Sequence, residues 1–210
     1  MKRRSVSIAA LLMLTALTLS AQVPAGWKQR LDRSTSASDP DAAGAVKFVS
    51  MGNGFHATTP QAAVFWNPSN AATGNYTVKG SFKLVRPSNH TNYYGLVFGG
   101  SDLDGANQSY IYFTVAQDGT WLIKRRDADA APTIAGKTAS DVVKKPGADG
   151  SSVNDLEVRV QASKIDYVVN GTVVHSTPKS GTTAKTDGLT GIRVNHMLEV
   201  HVDNFAVVKQ

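Results

Sequence analysis

Cysteine is absent from the 210-residue sequence. Its absence excludes disulfide bonds, thiolate metal ligands, a cysteine nucleophile and a lipid anchor on an N-terminal cysteine. A chain without covalent cross-links has to draw its stability from its hydrophobic core. The length suits one domain, because a chain of this size buries roughly 70% of the surface that it exposes when unfolded.

Amphipathic helical patterns are also missing. No stretch of a dozen residues carries apolar side chains at positions i, i+3, i+4 and i+7, so we expect helix to be a minor component. Short segments that alternate apolar and polar residues recur instead, as in residues 75–85, "NYTVKGSFKLV". Residues 93–100 and 109–116 are apolar at both odd and even positions, which predicts central strands covered on both faces.

The first 21 residues have the three parts of a secretory signal peptide. Basic residues at positions 2–4 precede an apolar run at 8–19, and the small residues Ser20 and Ala21 follow it. We expect cleavage after Ala21 and a secreted or periplasmic protein of bacterial origin, with a single domain over residues 22–210. No other segment is apolar enough to predict a membrane span.

The charge of the chain without its leader is ordinary. The leader removes three of the 22 Lys and Arg residues, which leaves 19 basic residues against 16 acidic ones, a net charge of +3. The basic residues cluster only at positions 124–126 and 144–145, next to turn signals. We therefore expect no nucleic-acid partner.

Two dipeptides predict tight hairpins. Asp118-Gly119 and Asn170-Gly171 each separate two strand-like segments, and such a two-residue loop is favoured where both central residues need positive φ. Counting outward from the first turn places Tyr112 opposite Arg125. A change of parity near the C-terminus predicts a β-bulge at Asn204. About a dozen short strands are enough for two packed antiparallel sheets.

The order of these segments, from about Trp27 to Lys209, resembles the concanavalin A-like lectin and glucanase superfamily. The most specific parts are Val-Asn-Gly at 169–171 and Gly-Ile-Arg-Val-Asn-His at 191–196. Within the superfamily, the sequence is most similar to bacterial secreted laminin G-like and 3-keto-disaccharide hydrolase-like domains. The resemblance implies an all-β jelly-roll sandwich of two curved antiparallel sheets, with carbohydrate held on the concave face and the rim loops.

The catalytic motif of the glucanases is not present. The chain has two glutamates, Glu157 and Glu199, and neither stands in the E-x-D-x-x-E or E-x-D-x-E pattern of family-sixteen glycoside hydrolases. One other set of side chains could take part in catalysis. Glu199, His201 and Asp203 alternate with apolar residues, so they project from one face of the last strand. A solvent-facing row is favoured for these side chains over a metal or proton-transfer role.

The loop at residues 99–109, "GGSDLDGANQS", offers the best candidate site. Asp102 and Asp104 resemble the start of a calcium loop, but the EF-hand pattern fails at Ala106 and Phe113. The alternatives are a turn closed by Asp and Asn side chains, a sugar-contacting loop, and a looser calcium site. Sugar recognition needs an aromatic surface beside planar polar groups, and the candidate binding residues are Asp102, Asp104, Asn107, Tyr110, Tyr112, Arg125 and His196.

We therefore predict an exported lectin-like protein that binds a poly- or oligosaccharide without catalysis. No catalytic residue, resident metal or cofactor is assigned, although calcium at Asp102 and Asp104 stays open. The first alternative is a glycoside hydrolase of the 3-keto-disaccharide hydrolase-like type that uses His196, Glu199 or Asp203. The second is a protein-interaction module of the cell envelope.

Overall fold

The computed structural model describes residues 23–34 and 36–210, and the predicted signal peptide lies outside them. The described residues form two seven-stranded antiparallel sheets, which confirms the predicted all-β fold. The first sheet contains, in spatial order, β1 (Lys28–Asp32), β4 (Ala62–Trp66), β13 (Leu189–Val194), β6 (Tyr93–Ser101), β7 (Ser109–Ala116), β8 (Thr120–Asp127) and β9 (Thr133–Ala139). The second contains β12 (Thr172–Pro178), β11 (Lys164–Val169), β10 (Ser152–Val160), β5 (Tyr76–Arg86), β14 (Leu198–Lys209), β3 (Gly54–Thr59) and β2 (Lys47–Met51).

Helix is confined to two single turns of 3-10 geometry, Pro68–Asn70 and Gly181–Thr183, within the part of the chain that the structure describes. In that part, no helix has the length and apolar character that crossing a membrane requires.

The core lies between the inner faces of the two sheets. Alternation along β5 sends Tyr76, Val78, Phe82 and Leu84 inward, and all four are fully buried. Aromatic rings contact one another across the two sheets. Phe48 of β2 stacks on Phe65 of β4 with ring centroids 4.2 Å apart.

Strands β6 and β7 are covered on both faces, as their double apolar pattern predicts. Every residue of β7 is buried. Its odd-numbered side chains, such as Ile111 and Phe113, enter the core between the sheets. Tyr110 and Tyr112 belong instead to a second apolar cluster on the outer face of the first sheet.

The hairpin at Asn170-Gly171 is confirmed. Val169 pairs with Thr172, and the two turn residues have φ angles of 49° and 81°. The Asn170 side chain also connects this hairpin to β10 and to the loop before β10 by hydrogen bonds. Its Oδ1 accepts from the backbone N–H of Asp155 at 2.9 Å, and its Nδ2 donates to the carbonyl of Val142 at 2.6 Å.

The predicted register of the other hairpin is wrong. Val115 pairs with Trp121, so the turn around Asp118 is longer than the predicted two residues. The N–H of Gly119 donates to the carbonyl of Ala116 at 3.1 Å, and the φ of Gly119 is 82°. A glycine with positive φ directly after a turn is typical of a hairpin that ends in a G1 bulge.

This change of register moves Arg125 to the other face of the sheet. Tyr112 lies opposite Lys124, and Arg125 lies opposite Ile111. Because neighbouring side chains of a strand point to opposite faces, the prediction that Arg125 shares a face with Tyr110 and Tyr112 is wrong.

The bulge predicted at Asn204 is confirmed. The φ of Asn204 is 53°, and the pairing of β14 with β5 shifts register between Asp203 and Ala206. The bulge allows β14 to continue pairing with β5 beyond Asn204. Even-numbered side chains face the core before the bulge, and odd-numbered ones do so after it.

Replacing Asn170 tests the hairpin. Asn170→Ala removes the side-chain hydrogen bonds to Val142 and Asp155. It also places alanine, which disfavours the left-handed region, at a position with positive φ. We expect a loss of about 2 kcal/mol in the free energy of unfolding, measured by urea denaturation. The exposed Asn75 provides the control, and Asn75→Ala should leave stability unchanged. An equal effect of both substitutions would contradict this role for the turn.

Candidate functional site

The predicted loop folds over the outer face of the first sheet. Leu103, at the centre of the loop, packs with Trp66, Val97, Tyr110 and Tyr112, and its side chain is 2% exposed. The side chains of Tyr110 and Tyr112 are also buried, with 0% and 7% exposure. In this structure Tyr110 therefore offers no surface to a ligand, and Tyr112 offers little.

Asp102 closes the loop on itself. Its Oδ2 accepts from the N–H of Asn107 at 2.9 Å, and its carbonyl accepts from the N–H of Gly105 at 3.0 Å. A Cβ at Gly105 would lie 2.0 Å from Oδ1 of Asp102, so any larger residue there would displace the Asp102 carboxylate from its position in the turn. These contacts agree with the predicted alternative of a turn closed by an Asp side chain.

Two basic residues of β1 hold the loop against the sheet. Nζ of Lys28 lies 2.9 Å from Oδ2 of Asp104, and the hydrogen bond and charge of Lys28 lower the pKa of that exposed carboxyl. The guanidinium of Arg30 donates to the carbonyl of Gly105. The loop is thus a cover over the aromatic cluster, and the basic groups of β1 lie along its edge.

A buried ionic network lies beside the two tyrosines. Nη2 of Arg193 is 2.7 Å from Oδ2 of Asp32, and Nη2 of Arg126 is 3.1 Å from Oδ1 of the same carboxylate. Arg193 also donates to the hydroxyl of Tyr110 at 2.8 Å. Its guanidinium carbon lies 4.9 Å from the ring centroid of Tyr112, within the range of a cation–π contact.

The network keeps Asp32 ionised. Burial by itself would raise the pKa of the Asp32 carboxyl, but the positive charges of Arg193 and Arg126 bring it below its ordinary value of 3.8. Such a buried pair is stable only when both partners stay charged, because removing one leaves the other without compensation for its lost hydration.

Strand pairing gathers more basic side chains on this face. Residues directly opposite one another in an antiparallel pair project to the same side, and β1 pairs with β4 while β7 pairs with β8. The outer face of the first sheet, with its covering loop, is called the basic face below. Its charged residues are Lys28, Arg30, Asp32, Asp104, Lys124, Arg126 and Arg193.

Two buried polar atoms on the basic face have no hydrogen-bond partner among the described residues. They are Nε of Arg126 and Oγ1 of Thr114. Buried donors and acceptors are nearly always satisfied in proteins, and an ordered water molecule can satisfy atoms of this kind.

His196 lies at the end of the basic face, in the turn between β13 and β14. It lines a cleft of ≈ 260 Å³ together with Asp32, Asp41, Asn92 and Arg193. Its side chain is 7% exposed, and its Nδ1 lies 3.0 Å from Oδ1 of Asp41. It lies next to the ionic network, as Arg193 donates to the side chain of its neighbour, Asn195.

Asn107 and Arg125 line a different cleft, with a volume of ≈ 590 Å³. Arg125 donates to the hydroxyl of Ser109 at 2.6 Å and to the carbonyl of Thr182 at 3.3 Å. The structure therefore distributes the seven predicted residues over the loop, the buried cluster and two clefts.

Glu199, His201 and Asp203 project from one face of β14, as predicted. This strand belongs to the second sheet and not to the sheet that carries the basic face. Val200 and Val202 are buried between these three residues. Glu199 contacts Nε2 of His56 at 3.0 Å and Nε of Arg86 at 3.3 Å, and His201 lies 3.2 Å from Asp203. Because His196 pairs with Asp41 instead, the residues of the hydrolase alternative have separate ionic partners.

Comparisons with known proteins bear on the fold. The sequence matches no protein-family model and no curated protein. Solved structures with a similar fold include the carbohydrate-binding module CBM66 from Bacillus subtilis, which is 15% identical with a TM-score of 0.58 over 87% of this chain and 95% of that one. The carbohydrate recognition domain of Emp46p is 10% identical, with a TM-score of 0.57 over 87% of this chain and 88% of that one. Alginate lyase A1-II' is 12% identical, with a TM-score of 0.54 over 88% of this chain and 95% of that one.

At these identities the likeness shows the fold alone. The protein has a concanavalin A-like jelly roll. This confirms the fold that the sequence resemblance implies, over nearly the whole described chain.

The network at the centre of the basic face was not predicted from the sequence. Asp32, Arg126 and Arg193 come from three distant segments, and no spacing rule connects them. One signal was present for Arg193, which stands at an alternating position between Ile192 and Val194 in a strand with an apolar pattern. A charge inside such a strand needs a partner on the same face.

Removing the Asp32 carboxylate tests the network. At neutral pH, Asp32→Asn should lower the free energy of unfolding by about 3 kcal/mol, because Arg193 loses its buried counter-charge. The folded-state pKa of Asp32 lies below the unfolded value. The stabilisation is therefore fully present above about pH 4 and lost as the pH falls through the folded-state pKa.

Urea denaturation of both proteins from neutral pH to about pH 2 measures this effect, and the two curves should converge at the acidic end. Asp104→Asn, which removes an exposed partner of Lys28, is the matched control and should leave stability unchanged. A difference that stays constant across the pH range would refute the electrostatic explanation.

Proposed function

We propose that the protein is exported and binds an oligosaccharide non-covalently on the basic face, and that its preferred glycans carry carboxylate or sulfate groups. The observation that carries the proposal is the row of cationic side chains on the outer face of a jelly-roll sheet. Five basic and two acidic residues share this face.

The chemistry of the face suits an anionic sugar. A guanidinium group presents planar donors that match a carboxylate or sulfate, and such charged hydrogen bonds are stronger than neutral ones. Lys124 and Arg126 are half-buried, so each side chain keeps some surface that a ligand can contact. Lys28 is exposed on the same face.

Structures of similar fold support the class of ligand. Two of them are a carbohydrate-binding module and a carbohydrate recognition domain. The name of a third, an alginate lyase, refers to a polyuronate substrate. These names belong to those proteins, and we carry them to this chain as part of the proposal.

The predicted residues have revised roles in this proposal. Arg126 and Lys124 replace Arg125 and Tyr110 as the groups that face the ligand, and the buried Arg193 holds the carboxylate of Asp32 that Arg126 also contacts. Asp102, Asp104 and Asn107 shape the covering loop, Tyr112 supports Arg193, and His196 lies at the end of the face. Calcium at Asp102 and Asp104 stays a prediction, as does the closer similarity to laminin G-like and 3-keto-disaccharide hydrolase-like domains.

Glycan binding tests the proposal. We expect the protein to bind polyuronates or sulfated glycans in preference to neutral glucans on a glycan array, with an affinity that falls as salt increases. By isothermal titration calorimetry, Arg126→Gln and Lys124→Gln should each weaken binding about tenfold or more, because each removes a charged contact. Arg159→Gln on the second sheet is the control and should bind as the unaltered protein does.

Three outcomes would contradict the proposal. Equal binding of neutral and acidic glycans would refute the anionic preference. Release of sugar that disappears in Glu199→Gln or Asp203→Asn would support the hydrolase alternative. The absence of binding and turnover across a broad panel would support a protein-interaction module.

A further inference from the structure

Three potential metal ligands converge at one end of the basic face. Oδ1 of Asp39 lies 2.9 Å from Nε2 of His90 and 3.2 Å from Nε2 of His196, and the two Nε2 atoms are 3.2 Å apart. The three side chains come from the loop before β2, the loop between β5 and β6, and the turn between β13 and β14. They form a group of possible metal ligands in the described part of the chain.

The other nitrogen of each imidazole already has an acceptor. Nδ1 of His196 donates to the carboxylate of Asp41 at 3.0 Å, and Nδ1 of His90 donates to Oδ1 of Asn89 at 2.8 Å. A neutral imidazole that donates through Nδ1 presents a lone pair at Nε2. Two lone pairs and a carboxylate oxygen therefore point at the same place, an arrangement that calls for a cation between them.

We propose that Asp39, His90 and His196 bind one zinc ion. Ligand atoms about 2.0–2.1 Å from a tetrahedral ion are roughly 3.3 Å apart, close to the three observed separations. Two imidazoles and a carboxylate are a typical zinc ligand set, whereas calcium and magnesium prefer oxygen ligands. Outward movement of the ligand atoms by a few tenths of an ångström or less would match this spacing and make room for the ion.

The surroundings of the cluster resemble those of a built metal site. Asp41 fixes the ring of His196 in the orientation that a ligand needs, and its other oxygen accepts from the N–H of Ser34 at 2.9 Å. The backbone carbonyl of His90 accepts from the side chain of Gln117 at 2.7 Å. Such carboxylate–histidine pairs set the tautomer and the direction of metal ligands.

Three protein ligands leave one position of a tetrahedral ion for a water molecule or a ligand oxygen. Nδ2 of Asn92 lies 3.0 Å from Nε2 of His90, so zinc has to displace the hydrogen bond that this amide donates to the same nitrogen. The cleft that His196 shares with Asp32 and Arg193 adjoins the site. The zinc site does not depend on the proposed glycan binding, and it is tested with the metal alone.

Zinc titration tests the site. The purified protein is freed of metal with a chelator, dialysed, and titrated with zinc chloride by isothermal titration calorimetry at pH 7.5. We expect one high-affinity zinc per chain and no comparable binding of calcium chloride. Cobalt(II) should give the visible absorption bands of a tetrahedral site with nitrogen and oxygen ligands.

Matched variants separate this site from adventitious binding. His196→Asn and Asp39→Asn should each weaken zinc binding at least a hundredfold, and Asp41→Asn, outside the first shell, about tenfold to a hundredfold. His175→Asn, on the second sheet, should bind zinc as the unaltered protein does. Circular dichroism confirms that each variant is folded.

The proposal is overturned if the protein binds no zinc at this stoichiometry, if calcium competes equally, or if His175→Asn weakens binding as much as His196→Asn. Glycan binding by a protein that fails to bind zinc would overturn the metal site and leave the proposed function intact. Zinc binding without glycan binding would do the opposite.

Discussion

Burial of the two inner sheet faces against each other is the interaction on which the rest of the structure depends. The chain has no disulfide, so this interface has to keep the sheets together by packing alone. Aromatic rings bridge it at several places, as where Phe48 stacks on Phe65 and where Phe113 of β7 meets Tyr167 of β11 at 5.3 Å. Because close-packed interiors resist small displacements, the strands hold the side chains of their outer faces at defined positions.

The basic face uses that rigidity for groups that are unfavourable to bury. Arg193 has lost most of its hydration, and Asp32, Tyr110 and Tyr112 replace it with an ion pair, a hydrogen bond and an aromatic surface. A fully apolar set of the same volume would often be at least as stable as a buried ion pair. The charge retained on this sheet face is therefore the feature on which the proposed glycan binding rests.

Local chemistry predicted much of the fold and only part of the site. The Asn170-Gly171 turn and the bulge at Asn204 depend on residues that tolerate the left-handed region, and such positions are visible in a sequence. The turn at Asp118-Gly119 was misread, because the same dipeptide fits a two-residue loop and a longer turn that ends in a bulge. That single residue of difference reversed the face of Arg125 and brought Lys124 and Arg126 to the basic face.

The amino-acid sequence by itself determined the all-β fold class, the cover on both faces of β6 and β7, and the Asn170-Gly171 hairpin, because period-two hydrophobicity and turn residues act over a few neighbouring positions. The tertiary structure alone decided which charged groups meet. Asp32 and Arg193 are brought together by strand pairing, and Asp39 and His196 by the approach of two loops. Contacts between such distant segments depend on strand register and on the paths of loops. A shift of one residue in register is enough to move a side chain to the opposite face of a sheet.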